Sequence, residues 1–444
     1  MKRIDHYATY LEGGAGAAAK RIFNGIVDAS SHPQNGPSRP WELNLVCRDD
    51  QPTSGAREKH FRPSKSFLDL TLPRKLNRKS FRRARTDLKT HLMNRPREYE
   101  TFSPARHYHP TALKREDRAD LIHLHWVAFL FDYLTFFRSL PRSTPIVWTL
   151  HDMNAFTGGC HYSAGCEKYR EGCGNCFQLD NPSADDLSTV SIQQKRKAYQ
   201  GRNLTIVAPC DWLVRLAGES RVFPPATRFE TIPYGLDTAR YFPLEKSAAK
   251  EELGVLDQRI NLLFAAMDLE NPRKGISELK RSLQLLPTPE NYRCLVFGNG
   301  ELPRSELPAG LEIRQLGFLD SVEKVRRAYS AADVFLLPSL EDNLPQTGLE
   351  SLACGTPVVA FGAGGIPEYV HHGKTGLLAN VGSSSQLTKQ ITWLAQNRDC
   401  LKSFGQNGRE LIVSDFEIEK QTRKYLSLYD QLLGRLPAHA SKAG

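Results

Sequence analysis

Asp342 and Glu350 stand eight positions apart in the run ADVFLLPSLEDNLPQTGLESLACGTPVVAFGAGG, residues 332–365, and bracket the start of a helix. A carboxylate accepts hydrogen bonds from both hydroxyls of a vicinal diol, whether ribose or sugar. The backbone of Asn343, Leu344, Pro345, Gln346 and Thr347 leads into that helix. Free N–H groups around Leu344 to Thr347 would face a phosphate or diphosphate with the positive helix end. Diphosphate, ribose and sugar together describe a nucleotide sugar. The bland reading, acids that merely face solvent, leaves the surrounding loop, proline and glycine pattern unexplained.

Other reactive residue types are spread along the chain. Arg273 and Lys274 precede a helical run and could neutralise a diphosphate. Gly13, Gly14 and Gly16 open a helix over Ala17–Val27, a turn through which backbone can approach a ligand closely. His151 and Asp152 follow the apolar run PIVWTL, where an α/β site places its polar groups. His123 and His125, in IHLHW, read as structural. Cys160, Cys166, Cys173 and Cys176 end in a CxxC, although the six-residue gap between the inner pair departs from a zinc ribbon. Structural zinc, reduced structural thiols and a redox pair all fit this spacing.

These groups need elements to hold them. Val334–Leu337 and Val358–Phe361 are short apolar runs bounded by proline and glycine, which predicts buried parallel strands around a helix from Pro345 to Ala353. In such units ligands sit beyond the carboxyl ends of the strands. Further strands are expected around Ile4–Tyr10, Trp41–Cys47, Leu121–Leu124, Pro145–Leu150, Leu204–Ala208, Asn261–Ala266, Cys294–Gly300 and Ile313–Phe318. Residues 49–66 read as a loop, Phe416–Leu433 as a final helix and the tail PAHASKAG as disordered.

The pattern Asp342-x7-Glu350 followed by CGTPVVAF and GGIPE resembles the signature of the retaining family 4 glycosyltransferases. HDMNAFTGGC through GCGNC is similar to the branch that builds exopolysaccharide and colanic acid. The resemblance implies an α/β fold of the GT-B type, two Rossmann-like domains facing an inter-domain cleft. It divides the chain into an acceptor-side domain at 1–231, a linker at 232–243, a nucleotide-sugar domain at 244–415 and a helix at 416–434 that crosses back. Glu350 would then bind the ribose, Asp342 and His151 the donor sugar, and Asn343 to Thr347 the sugar and phosphates, with His151, Asp342 and Glu350 as the catalytic set. Gly13 and Gly14 match the family's glycine loop, and Lys274 with Gly275 its lysine–glycine pair. The family's upstream arginine has no counterpart in Phe264–Asp268, and Arg273 is the expected substitute. Cys210 and Tyr234 stand where the family has Ser and Asn.

The activity implied is transfer of a sugar from a nucleoside diphosphate to a glycan or polyprenyl-diphosphate-linked acceptor, with no cofactor and no catalytic metal. The leaving phosphate would help to deprotonate the acceptor. A non-catalytic nucleotide-sugar scaffold, which the departures at Cys210, Tyr234 and the missing arginine favour, and a sugar-nucleotide epimerase are the alternatives.

At 444 residues, 40% apolar and 24% charged, the chain suits two soluble domains, and it has no apolar run long enough for a membrane span. The first residues lack the apolar core of a signal peptide, so a cytoplasmic location is expected, and nine cysteines are then not a disulfide framework. The net charge of +10 favours acidic partners. Ten Lys or Arg residues between Arg74 and Arg97, with Leu72, Leu76, Leu88 and Leu92, suit either an anionic membrane surface on the inner face or a solvated helix. No recognition motif accompanies the charge, which argues against nucleic acid.

Overall fold

The structure is a computed structural model that describes residues 1–31, 39–48, 57–61, 95–96, 98–106 and 118–435, together with 92 and 113. Most of the basic segment 74–97 and the tail from 436 lie outside the described residues. The chain forms two compact units, Met1–Ile232 with Thr422–Gly444, and Pro233–Gln421.

In the first unit, seven strands form one parallel sheet. They are β1 (Lys2–Tyr7), β2 (Trp41–Cys47), β3 (Glu58–His60), β4 (Leu121–Leu124), β5 (Pro145–Thr149), β6 (Asn203–Ala208) and β7 (Arg228–Thr231), in the order β3-β2-β1-β4-β5-β6-β7. The helices are α1 (Gly13–Ser31), α2 (Tyr133–Ser139), α3 (Leu187–Tyr199) and α4 (Asp211–Glu219). All four residues of β4 are buried, as expected of a strand covered on both faces. One side of the sheet packs Ile22, Phe23 and Ile26 of α1, one helical turn of apolar spacing, against Leu43, Leu45 and Val147. The strand order reverses at β1, so polar residues beyond β1, β4 and β5 lie at a switch-point edge.

The second unit repeats the plan with six parallel strands. These are β8 (Ile260–Asp268), β9 (Tyr292–Asn299), β10 (Glu312–Gly317), β11 (Val334–Leu337), β12 (Val358–Phe361) and β13 (Gly376–Ala379), ordered β10-β9-β8-β11-β12-β13. Its helices are α5 (Lys246–Glu252), α6 (Ile276–Gln284), α7 (Val322–Ala331), α8 (Gln346–Ala353), α9 (Ser384–Gln396) and α10 (Arg398–Asp415). The last helix, α11 (Ile418–Leu432), begins in this unit, and from Thr422 its residues belong to the first. Both sheets are the doubly wound kind that the resemblance implied. Among the described residues no helix is long and apolar enough to cross a membrane.

Three local expectations change. Glu58–His60 lies within the stretch read as loop, yet it pairs with Leu45–Cys47 as an edge strand; three polar residues carry no apolar alternation to announce it. The first strand stops at Tyr7 rather than reaching Tyr10, whose ring lies 5.4 Å from that of Trp126. Helix α1 starts at Gly13, four residues earlier than expected. There, Gly16 is set by packing: a Cβ would lie 2.7 Å from the Tyr10 carbonyl oxygen.

Candidate functional site

In the second unit, the loop after β8 and the loop after β11 interlock. Pro272–Lys274 forms a single 3₁₀ turn capped by Asn271, whose side chain accepts from the Arg273 N–H. Gly275 follows in the left-handed region, where a Cβ would stand 1.8 Å from the Pro338 carbonyl oxygen, so only glycine permits this approach. The Leu340 N–H donates to the Arg273 carbonyl at 2.9 Å. That docking carries two cations onto Asp342. Lys274 Nζ lies 2.6 Å and an Arg273 guanidinium nitrogen 3.1 Å from Asp342 Oδ2, and Arg273 also donates to the Glu341 carbonyl at 2.7 Å.

Asp342 is buried, and burial alone would raise its pKa. Lys274 and Arg273 outweigh that and hold the carboxyl at about 2. It is therefore ionised at neutral pH and accepts hydrogen bonds only. Its Oδ1 accepts from the Asn343 N–H at 3.1 Å. The Leu344 N–H is engaged by Asn343 Oδ1, so it is not one of the free amides expected there. Pro345 caps α8 from outside the helix, and the Gly348 N–H bonds its carbonyl. Gln346 and Thr347 form the first turn. Glu350 is half-buried one turn further on, where its Oε2 accepts from the Tyr329 hydroxyl at 3.3 Å. Burial, and then Glu350, keep Tyr329 protonated and a donor. Gly364 closes the loop from the β12 side, since a Cβ there would meet the Asp342 carbonyl oxygen at 1.7 Å.

In the first unit, Gly13 and Gly14 face open space, for a Cβ on either would meet nothing within 4 Å. His151 follows β5, is buried, and lines a cavity of about 10 Å³ with His125, Trp126, Asp152 and Asn154. Burial lowers its pKa to about 4, against the pull of Asp152, so it is neutral at pH 7. Asp152 turns elsewhere: its carboxylate pairs with His161 Nδ1 and accepts from Trp126 Nε1 at 2.7 Å and from the Asn154 N–H at 2.8 Å. His161 Nε2 reaches Ser103 Oγ at 2.9 Å. The connectivity is that of a serine nucleophile, yet Ser103 is 1% exposed, which leaves a substrate no approach.

His151 instead ends a chain of buried groups. Its Nε2 lies 3.3 Å from His125 Nδ1, and His125 Nε2 lies 3.1 Å from His6 Nδ1. His6 Nε2 meets the Tyr429 hydroxyl at 3.2 Å, and that hydroxyl meets His123 Nδ1. His123 Nε2 then reaches Thr149 Oγ1 at 2.7 Å, which bonds the Tyr425 hydroxyl at 2.8 Å. Burial keeps all four imidazoles neutral, and a neutral imidazole donates from one nitrogen and accepts at the other. With one proton on every link of the chain, only two proton arrangements are consistent along its whole length. In one, His151 carries its proton on Nε2; in the other, on Nδ1.

His6, His123 and His125 also have ligand atoms within 4.8 Å of one another. Their nitrogens are already satisfied by this chain, so a metal would have to break it. His123 and His125 are core residues, as the sequence suggested, but His125 touches His151 directly. His6, Thr149, Tyr425, Tyr429, Trp126, His161 and Tyr329 escaped the sequence reading. The one visible signal was Tyr425 and Tyr429 at i, i+4 on one helix face.

Residues 259–397, which contain Arg273, Lys274, Asp342 and Glu350, match the family described as "Glycosyl transferases group 1". The chain is 26% identical over 214 residues to N-acetyl-alpha-D-glucosaminyl L-malate synthase of Bacillus anthracis, covering 47% of this chain and 55% of that one. It is 26% identical over 204 residues to N,N'-diacetylbacillosaminyl-diphospho-undecaprenol alpha-1,3-N-acetylgalactosaminyltransferase of Campylobacter jejuni, covering 45% and 53%. The chain thus spans about half the length of the curated relatives it matches. Among solved structures, sucrose-phosphate synthase from Thermosynechococcus elongatus aligns at TM-score 0.67 and 17% identity, covering 98% of this chain and 100% of its own. HepE of Anabaena in complex with UDP-glucose aligns at 0.62 and 15%, covering 97% and 100%. The fold is that of GT-B glycosyltransferases.

Proposed function

We propose that this protein is a glycosyltransferase that moves a sugar from a nucleoside diphosphate to a glycan or polyprenyl-diphosphate-linked acceptor, with retention at the anomeric carbon. The observation that carries this reading is the pairing of Lys274 and Arg273 with Asp342 beside the start of α8, inside the segment matched to the glycosyltransferase family. The UDP-glucose complex of HepE and the lipid-linked acceptor in the name of the Campylobacter relative support donor and acceptor class respectively.

In this reading Asp342 is first an anchor. It holds two cations in place, and the three side chains together carry a net charge of +1 for the diphosphate. As the bond from C1 to the phosphate oxygen breaks, its electron pair goes to the diphosphate, whose growing charge Lys274, Arg273 and the amides opening α8 offset. The acceptor hydroxyl bonds C1 on the same face, and its proton passes to a leaving phosphate oxygen. Glu350, oriented by Tyr329, takes the ribose hydroxyls. His151, neutral, contacts the transferred sugar, with its tautomer coupled to the proton arrangement of the whole histidine chain. Gly13 and Gly14 give backbone access to the substrate. The reaction needs no metal or further cofactor.

A cytoplasmic protein using a lipid-linked acceptor works at the inner membrane face, and the basic segment 74–97 is suited to anionic headgroups there. Such attachment weakens with salt. Vesicle flotation indifferent to ionic strength would count against it.

The central test is Glu350→Ala in the purified full chain, assayed with a panel of nucleotide sugars. Turnover of the preferred donor is expected to vanish while the unfolding midpoint holds, and full activity would sink the reading. Nucleoside diphosphate released only with acceptor present separates transfer from a binding scaffold. Isomerised donor without acceptor would indicate an epimerase.

A further inference from the structure

Residues 150–186, between β5 and α3, contain only two single-turn 3₁₀ helices, Asn154–Phe156 and Lys168–Arg170. Yet this stretch supplies His151, Asp152, Asn154 and His161. A segment so poor in regular structure needs some other restraint. The side chains of Cys160, Cys166, Cys173 and Cys176 all line one cavity of about 20 Å³ within it, and all four are free thiols.

Burial pushes the Cys160, Cys173 and Cys176 thiols above the ordinary range, so they keep their protons until a metal displaces them, and polar groups surround the sulfurs. The Gly158 N–H faces the Cys173 sulfur, the Gln178 N–H and the Ser188 hydroxyl face Cys176, and the Thr157 hydroxyl faces Cys160, so each of these sulfurs has a donor beside it. Cations gather here as well. Lys195, wholly buried, donates to the carbonyls of Asn154 and Thr157, and its burial lowers its pKa to about 8. Arg95 donates to the Gln178 and Glu100 carbonyls, and Lys168 lines the cavity while donating to the Gly174 and Asn175 carbonyls. Asp186 is the acid beside Cys176, where its carboxylate holds the Cys176 N–H at 2.7 Å. A buried cation without a full negative partner is costly.

The backbone is unusual at the same place. Of the four non-glycine residues with positive φ in the described chain, three are Ala164, Cys173 and Asn175, with φ of 49°, 64° and 46°. A cysteine held in the left-handed region signals a local constraint that outweighs the steric cost.

We propose that Cys160, Cys166, Cys173 and Cys176 bind one zinc ion as a structural tetrathiolate that ties residues 150–186 together. Zinc takes four thiolates in tetrahedral geometry, and binding releases their protons. The resulting centre carries a charge of −2, which Lys195, Arg95 and Lys168 then offset. No three of these sulfurs fall within the 4.8 Å that groups His6, His123 and His125, so binding zinc requires them to close in on the cavity they share. The inference does not depend on the sugar-transfer reading, because its readout is metal content.

The experiment uses the full chain, purified in the absence of chelators. Elemental analysis is expected to give about one zinc per chain. Mercurial titration of the thiols should release it to a chromogenic chelator, and cobalt exchanged into the site should show thiolate-to-metal charge transfer. The double variant Cys173→Ser, Cys176→Ser should lose the metal; if it does not fold, the wild-type measurements decide alone. Metal-free protein with four titratable thiols, a disulfide in the unreduced alkylated mass, or cobalt without thiolate charge transfer would each overturn the proposal.

Discussion

Lys274 Nζ stands 2.6 Å from Asp342 Oδ2, in a contact made by two residues sixty-eight positions apart. Lys274 keeps 24% of its side chain exposed, so it can turn to a ligand phosphate while Arg273 stays with Asp342. Lys274→Met should therefore leave the fold intact and weaken nucleoside diphosphate binding by about 1.5–3 kcal/mol, roughly 10- to 100-fold. Calorimetric titration with the nucleotide that wild type prefers measures this. Unchanged affinity would remove Lys274 from the site.

Four neutral histidines make the first unit acid-sensitive. The folded pKa is lowered from 6.5 to about 3 for His6 and about 4 for His151, and well below 6.5 for His123 and His125. Unfolding takes up protons below pH 6.5, so this stability is complete above 6.5 and is lost as pH falls through the folded values. Each histidine contributes about 1.4 kcal/mol per pH unit in that window. With four such sites, about one pH unit below 6.5 removes an amount comparable with the lower end of a typical margin of about 5–15 kcal/mol. Denaturant melts of the whole chain from pH 7.5 to 4.5 should show the decline. In His123→Gln it should be shallower, and an equal slope would argue that the imidazoles are charged in the native state.

Cutting the histidine chain at its middle should be felt at its end. Tyr429→Phe leaves His6 Nε2 and His123 Nδ1 without that hydroxyl, at about 1–3 kcal/mol for each buried polar atom. It also uncouples His151 from Thr149 and Tyr425. Nitrogen-15 shifts of labelled histidine should move His151 from one tautomer toward a mixture of two. If His151 is unaltered while stability drops, the hydroxyl is only structural.

Glycine at 275 and at 364 is dictated by carbonyl oxygens, not by freedom in the unfolded chain. Gly275→Ala or Gly364→Ala forces Cβ into Pro338 or Asp342 backbone and should separate the loops that join Lys274 to Asp342. A loss of several degrees in Tm together with nucleotide binding is the expected result. Gly218→Ala, exposed in α4 with nothing within 4 Å, should instead stabilise by about 0.5–1 kcal/mol. Should all three behave alike, the close approaches are not real constraints.

The second unit was largely legible in the sequence because its chemistry is local. Val334–Leu337, the loop to Pro345 and Val358–Phe361 are each announced by apolar run length and by proline or glycine, and the strands fall at those residues. The partnership of Arg273 and Lys274 with Asp342 needed the side-by-side placement of β8 and β11, which composition does not reveal. The use of the Leu344 amide by its own neighbour was equally hidden. In the first unit the four-histidine chain joins residues as far apart as His6 and Tyr429, and each looked like an ordinary core residue in its own segment. Periodicity reports which side of an element is covered; it does not report what stands opposite.

The last helix has a consequence for the order in which this protein can assemble. Tyr425, Leu426, Leu428 and Tyr429 sit in the core that β1 and α1 help to build. During synthesis the amino-terminal half must therefore leave the ribosome with part of its interior unfilled. It waits through the making of nearly two hundred further residues, while the Pro233–Gln421 unit has all its own strands in hand and is free to fold first.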